Sequence, residues 1–349
     1  MQFKVIELNN PEWDEYVKSS YMYDFHHTSC YHKIEQKKHE NSVLLVSISE
    51  NNHVCQPFII KQINNTGYFD ATSVYGYCGP IASKPIKDID ESLQSFFKKE
   101  FINYCNHNKI VSVFSRLHPL IEQNIILKKF GEIKNLNKTV SIDLTLSLTD
   151  QRKAFRKSNK SEINQLKGKK GYTVECVDKS DDQKIRDFVE IYNENMRRVE
   201  AKDYYYFGFN YFKELLNNSC FECDLLVAYK DSVMTAGAIF TKTHSIMQYH
   251  LAGTKKEFSH DTPMKLILDE ARVLGSSEGL RFLHLGGGVG GSDDDSLFRF
   301  KSGFSKIFYQ FSVWNLIVNQ DIYENLVEEK NIKAEDFPNF FPLYRAVSN

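Results

Sequence analysis

The sequence lacks any long hydrophobic run. Nothing in it approaches the ~20 consecutive apolar residues that a bilayer-crossing helix needs, which argues against a membrane-spanning chain. It also lacks an excess of charge of either sign. With 44 basic against 45 acidic residues, the net charge is −1. The molecule as a whole is therefore no polyanion binder, no DNA partner is expected, and any attraction for phosphate has to come from a local patch. The first residues, MQFKVIELNNPEW, hold no apolar core behind a basic start, so a cytoplasmic location is expected. Cysteine is sparse. Seven residues, an odd count with no framework spacing, read as reduced thiols and not as disulfides. Cys220 and Cys223 form a lone C-x-x-C. A zinc site would require a second pair at usable spacing, so the pair reads as structural and no metal is expected.

What is present is a globular composition, 42% hydrophobic and 26% charged, in 349 residues. That length suits two domains better than one. Strand and helix signals alternate throughout. Strands are expected over 42–48, 54–63, 68–74 and 110–114, with a helix over 90–106 whose apolar residues follow the helical period. In the second half strands are expected over 172–177, 224–229, 233–241, 245–251, 281–285 and 307–318. Helices are expected over 181–199, 262–274 and 296–304. A strongly basic segment, 152–170, reads as a helical inter-domain connector. Each half is thus a mixed α/β unit with hairpin-linked strands, unlike a doubly wound βαβ array. The expected division is 1–150, a connector 151–170, and 171–349.

Several residues suggest chemistry. In the helix over 296–304, Leu297, Phe300 and Phe304 share a face with Lys301. A lysine among buried aromatics is costly, and its pKa falls. Its ammonium suits negative charge on a tetrahedral intermediate or a leaving oxygen; the plainer reading is a snorkelling stem. Tyr249 shares a strand face with Met247 and Leu251, which fits either donor orientation, protonation of a leaving group, or core packing. Arg198, near a helix C-terminus, offers a fork of donors for a diphosphate or carboxylate or simply complements the helix dipole. Tyr205 and Tyr206 are candidates for the same group. The run Gly286 to Gly291 precedes Asp293, Asp294 and Asp295; three carboxylates and the absence of a long following helix argue against a dinucleotide site and for a tight turn. One of these aspartates, or His284, is a candidate proton acceptor. The basic segment fits RNA attraction, but without interleaved aromatics a solvated helix face is favoured.

Three stretches, in order, resemble one family. Ser296-Leu-Phe-Arg-Phe300-Lys301-Ser-Gly-Phe304 is similar to the phenylalanine-lysine signature of the Fem transferases. Tyr192 to Arg198, followed by Tyr204-Tyr205-Tyr206-Phe207, resembles their arginine-then-tyrosine acceptor site. Tyr75-Gly-Tyr77-Cys-Gly-Pro80 resembles the aromatic loop of their first domain; Tyr75, Tyr77 and Arg116 are accordingly candidate substrate contacts. The resemblance implies two tandem Gcn5-related N-acetyltransferase-like domains with a cleft between them. It implies an acyltransferase that moves an acyl or aminoacyl group, from acyl-CoA or aminoacyl-tRNA, to an amine of a cell-envelope precursor. The implied acceptor is a small-molecule or lipid-linked saccharide or peptide, with tRNA and a peripheral membrane contact as further implied partners. Lys301 and Tyr249 are then the catalytic candidates, and Arg198, Tyr205, Tyr206 and Phe300 line the substrate site. The alternatives are a carbohydrate- or precursor-binding protein on a decayed transferase scaffold and an RNA-binding protein. Two departures stand out. The expected coenzyme A loop, 253–262, lacks its second glycine, and the long coiled-coil arm of some Fem proteins is missing.

Overall fold

The computed structural model describes residues 1–289, 295–338 and 340–346. The chain forms two compact units, Met1–Leu136 with Gln310–Asn349, and Asn137–Tyr309. The first unit holds strands β1 (Gln2–Glu7), β2 (Glu40–Ser49), β3 (Asn52–Gln62), β4 (Phe69–Thr72), the two-residue β5 (Ile81–Ala82) and β6 (Ile110–Arg116). The chain leaves it within β7 (Glu132–Asp143). The second unit holds β8 (Thr173–Cys176), β9 (Glu222–Lys230), β10 (Val233–Lys242), β11 (Ile246–Thr254) and β12 (Phe282–Gly286), and the chain returns within β13 (Ile307–Ile317).

The strands of the two units share one pairing pattern. In the first, β1, β2, β3 and β4 pair antiparallel in that order, β4 pairs parallel with β6, and β6 antiparallel with β13. In the second, β8, β9, β10 and β11 pair antiparallel in that order, β11 pairs parallel with β12, and β12 antiparallel with β7. A parallel step cannot be closed by a tight turn and needs a crossover. The helices Glu91–His107 and Met264–Ser277 supply it, one per unit. The fold is therefore mixed α/β and repeats itself.

Each crossover helix forms because its apolar positions recur every turn. Leu93, Phe97, Phe101 and Cys105, four apart, bury one face of the first. Leu266, Ile267, Leu268 and Ala271 do the same in the second, joining a core with Val140, Phe240, Met247 and Leu283. The helix Asp182–Arg198 starts at an Asp181 cap, whose carboxylate accepts the Lys184 amide at 3.1 Å. It lies so close to β11 that a Cβ on Gly253 would stand 2.8 Å from the Tyr192 Cα, so only glycine fits there.

The basic segment 151–170 lies inside the second unit, and the stretch after 310 belongs to the first, so neither follows the divisions expected from sequence. The segment is two helices, Leu148–Lys153 and Lys157–Gly168. Phe155 breaks them apart by turning into the core against Phe304, ring centroids 5.1 Å apart, while the Arg156 amide donates to Gly303 O at 2.8 Å. Four of its eight cations pair with carboxylates of the unit: Arg152 with Asp269, Lys153 with Asp150, Lys167 with Glu270 and Lys170 with Asp261. Cys55, Cys78, Cys105, Cys176 and Cys223 are free thiols, whereas Cys30 and Cys220 are disulfide-bonded, against the expectation that every cysteine is reduced. Among the described residues no helix is long and apolar enough to cross a membrane, and no group of His, Cys, Asp or Glu is placed to hold a metal ion.

Candidate active site

In the second unit the parallel ladder is short. β11 and β12 pair only over 246–248 and 282–284. Beyond that, β11 keeps β10 alone as its partner, through a register shift between Ile239 and Phe240. Tyr249 is the first residue past the ladder. On the other side Gly286, at φ +74°, turns the chain out of β12. The carboxyl ends of parallel strands that part company are where open α/β sheets place ligands.

Lys301 reaches this point. It ends the helix Ser296–Lys301, which Asp295 starts by accepting the Phe298 amide at 2.8 Å. Of the face expected from sequence, Lys301 and Phe304 are buried, while Phe298 takes the place of the half-buried Leu297 and Phe300. Only 7% of Lys301 is exposed. Its Nζ donates to Gly287 O at 2.7 Å and stands 5.7 Å from the centroid of the Tyr249 ring. Burial pulls its pKa down from 10.5 to about 8, against the opposing pull of the Asp295 charge. Tyr249 packs on Phe240 at 5.6 Å, and burial pushes its hydroxyl above the ordinary tyrosine range. That hydroxyl stays protonated. It suits donation of a hydrogen bond far better than proton transfer to a leaving group.

The other candidates lie elsewhere. Phe300 packs half-buried on Phe304, ring centroids 5.5 Å apart. Arg198 donates to Thr254 O at 3.2 Å and to Asn195 Oδ1, and the neighbouring Glu194 accepts the Lys256 amide at 2.8 Å. Arg198 thus fastens the far end of the strand that carries Tyr249. Tyr205 O accepts the Tyr192 hydroxyl at 3.0 Å, and Tyr206 is exposed. His284 is wholly buried in β12, its Nδ1 3.2 Å from Ser141 Oγ, and Asp295 is engaged as a helix cap. Asp293 and Asp294 lie outside the described residues. Tyr75, Tyr77 and Arg116 belong to the first unit, around the end of its own parallel ladder.

The coenzyme A seat of this fold would be the N-terminus of the crossover helix Met264–Ser277, whose free amides would cradle a pyrophosphate. Here the chain fills that end itself. A 3-10 turn, Lys256–Asp261, precedes it, Pro263 removes one amide, and the Lys265, Leu266 and Ile267 amides bond back to Thr262 O and Pro263 O. Glu162 accepts from the Thr262 hydroxyl at 3.0 Å and pairs with Lys265; Asp261 is held by Lys170, Lys230 and Tyr172. Glu162 and Asp261 already engage Lys265, Lys170 and Lys230, so these cations are not free to pair with phosphate. These residues do not fit a pyrophosphate, and the sequence hints were the missing second glycine and Asp261 itself.

Residues 153–302 match the family described as the acetyltransferase (GNAT) domain. The crystal structure of FemX superposes on 93% of this chain and 99% of its own, with a TM-score of 0.73 at 13% identity. The chain is Fem-like in fold, with a GNAT domain. The same Fem-like fold extends to L-PGS from Bacillus licheniformis, with a TM-score of 0.60 at 12% identity, over 93% of this chain and 97% of that one. It extends also to the C-terminal DUF2156 domain of an Agrobacterium fabrum protein described as a lysylphosphatidylglycerol synthetase, with a TM-score of 0.58 at 14% identity, over 91% and 96%. No curated protein sequence matches the chain. The duplicated pairing pattern is the tandem GNAT-like arrangement expected from the motifs.

Proposed function

We propose that this chain transfers an aminoacyl or other acyl group from an activated ester to an amine of a cell-envelope precursor. The observation that carries the reading is the Lys301 ammonium, buried beside the Gly287 carbonyl and the Tyr249 ring where β11 and β12 diverge. Among the described residues no carboxylate lies within hydrogen-bonding reach of this cation, and the hydrogen bond it makes is to a neutral carbonyl. The cation is arranged to receive negative charge that appears during a reaction. Attack of a neutral amine on an ester carbonyl generates such charge on the carbonyl oxygen. Lys301 stabilises it as the amine–carbon bond forms. As the carbon–oxygen bond breaks, the Lys301 ammonium, with a pKa near 8, gives its proton to the leaving oxygen, and the neutral Lys301 amine takes up the proton shed by the attacking nitrogen. Tyr249 orients the donor with its hydroxyl. No acyl-enzyme is required, and positioning of both substrates supplies much of the rate.

The filled end of the Met264–Ser277 helix favours a donor not held by a pyrophosphate there, which points to aminoacyl-tRNA over acyl-CoA. The printed name of the lysylphosphatidylglycerol synthetase among the neighbours supports transfer of an aminoacyl group to an envelope component; the saccharide or peptide amine is the acceptor that the Fem resemblance implies. A thermal-shift screen tests the donor: charged tRNA is expected to raise the melting temperature and acetyl-CoA to leave it unchanged. A single-turnover assay with the donor so found tests the site. Lys301→Met is expected to lose at least a hundredfold in rate while still binding donor; full retention of turnover overturns the reading.

A further inference from the structure

The repeated pairing pattern gives the first unit a counterpart of the site just described, at the carboxyl ends of β4 and β6. The residues that gather there are not those of the second unit. Arg116 ends β6, half-buried, and its guanidinium is clasped between two rings: its Cζ lies 5.6 Å from the centroid of Tyr75 and 5.1 Å from that of Phe114. Among the described residues the guanidinium makes no hydrogen bond and no ion pair. Five donors on a partly desolvated cation are thus left without an acceptor, although aromatic faces hold the plane rigid. Arginine in this state matches the two oxygens of a carboxylate or phosphate.

The loop that brings Tyr75 over Arg116 is fastened from below. Gly76 has φ +119°, and any Cβ on it would stand 2.0 Å from His26 Nε2. The Tyr75 carbonyl accepts the Tyr31 hydroxyl at 3.2 Å, the Cys78 amide donates to Arg116 O at 2.9 Å, and Gln123 Nε2 donates to Cys78 O at 2.7 Å. His118, two residues past Arg116, bonds through Nε2 to buried Asp24 at 3.1 Å and accepts the Leu120 amide on Nδ1. The network carries no charge to the guanidinium; it fixes the backbone on both sides of it. Such pre-organisation lowers the cost of binding.

We infer that Arg116, between Tyr75 and Phe114, is an oxyanion-binding site of the first unit, for a carboxylate or a phosphate borne on a ligand whose flat or apolar part lies against Tyr75. The inference gives a ligand chemistry to residues already named as candidate substrate contacts, but it does not rest on Lys301, and its test uses neither that residue nor the transfer reaction. The side-chain Nε–Hε resonance of Arg116, identified by its loss in Arg116→Lys, is followed in the wild-type protein during separate titrations with inorganic phosphate and with acetate at constant ionic strength. A saturating shift with either anion is the expected result; which one acts tells phosphate from carboxylate recognition. Arg116→Gln is expected to weaken binding at least tenfold by thermal shift, and Tyr75→Leu at least threefold. A resonance unmoved by both anions, or moved equally by sodium chloride, overturns the inference; the conservative Arg116→Lys serves the assignment alone, and the titrations are read on the wild-type protein.

Discussion

Replacing Lys301 by methionine separates its cost to the fold from its use. Burial lowers the folded-state pKa from 10.5 to about 8. At about 1.36 kcal/mol per unit, that corresponds to about 3 kcal/mol of destabilisation when the group is charged. The sign follows from proton counting. Below pH 8 both folded and unfolded chains hold the proton, and the full cost is present. Between pH 8 and 10.5 the unfolded chain keeps its proton while the folded chain has lost it, so stability rises with pH. Above 10.5 the cost is gone. Lys301→Met has no proton to lose and a similar shape. It should therefore be more stable than wild type at pH 7, with a gap that closes by about 3 kcal/mol between pH 7.5 and 10.5. Urea unfolding of both proteins across that range measures the gap, and taking the difference cancels titration of the tyrosines. A gap that stays constant across the range refutes the argument, since the ammonium would then not be desolvated in the folded state. A stabilised variant without turnover would mark Lys301 as kept for function at the expense of the fold.

Other perturbations follow from the same structure. Tyr249→Phe is expected to lower kcat about tenfold to a hundredfold with an unchanged melting temperature, if its hydroxyl orients the donor; steady-state kinetics beside a thermal melt decide this. Gly253→Ala forces the helix Asp182–Arg198 off β11, because the added methyl meets the Tyr192 backbone at 2.8 Å; a loss of roughly 1–3 kcal/mol is expected in denaturant unfolding. Asp269→Ala leaves the Arg272 guanidinium, 2% exposed and paired to that carboxylate at 2.7 Å, without its anion. The expected loss is about 3–5 kcal/mol, read from the urea midpoint. Turnover by wild type should fall above pH 8, as the Lys301 ammonium discharges, and a rate that holds to pH 10 would remove it from the chemistry.

Much of the second unit is written in local pattern. Ile185, Phe188 and Tyr192 at helical spacing, and the short apolar runs of β9 and β10, place those elements within a residue or two. The pattern fails where burial is shared between distant strands. β7 was not foreseen, since its first residues are largely exposed and only 139–142 are buried. The N-terminal β1 and the helices Glu12–Lys18, Ser29–Glu35 and Gln320–Glu329 are short or weakly apolar, and packing outweighs local preference in them. At the site, the lysine among aromatics and the Asp295 cap are legible from residue types. The stopping of the β11–β12 ladder after three positions is not, because register is set by the whole sheet. Nor does sequence show that Glu162 closes a helix end a hundred residues away.

The return of the chain along β13 has a consequence for synthesis. Val313 to Ile317 pair with β6, and Trp314 fills the core between Phe101 and Phe130. A nascent chain therefore possesses every strand of its middle portion before the sheet it began with can be finished. The first unit waits, with an aromatic hole and an unpaired edge, until the stretch that follows Tyr309 emerges. A stop codon ahead of Gln310 would thus harm the opening residues most, although it removes none of them.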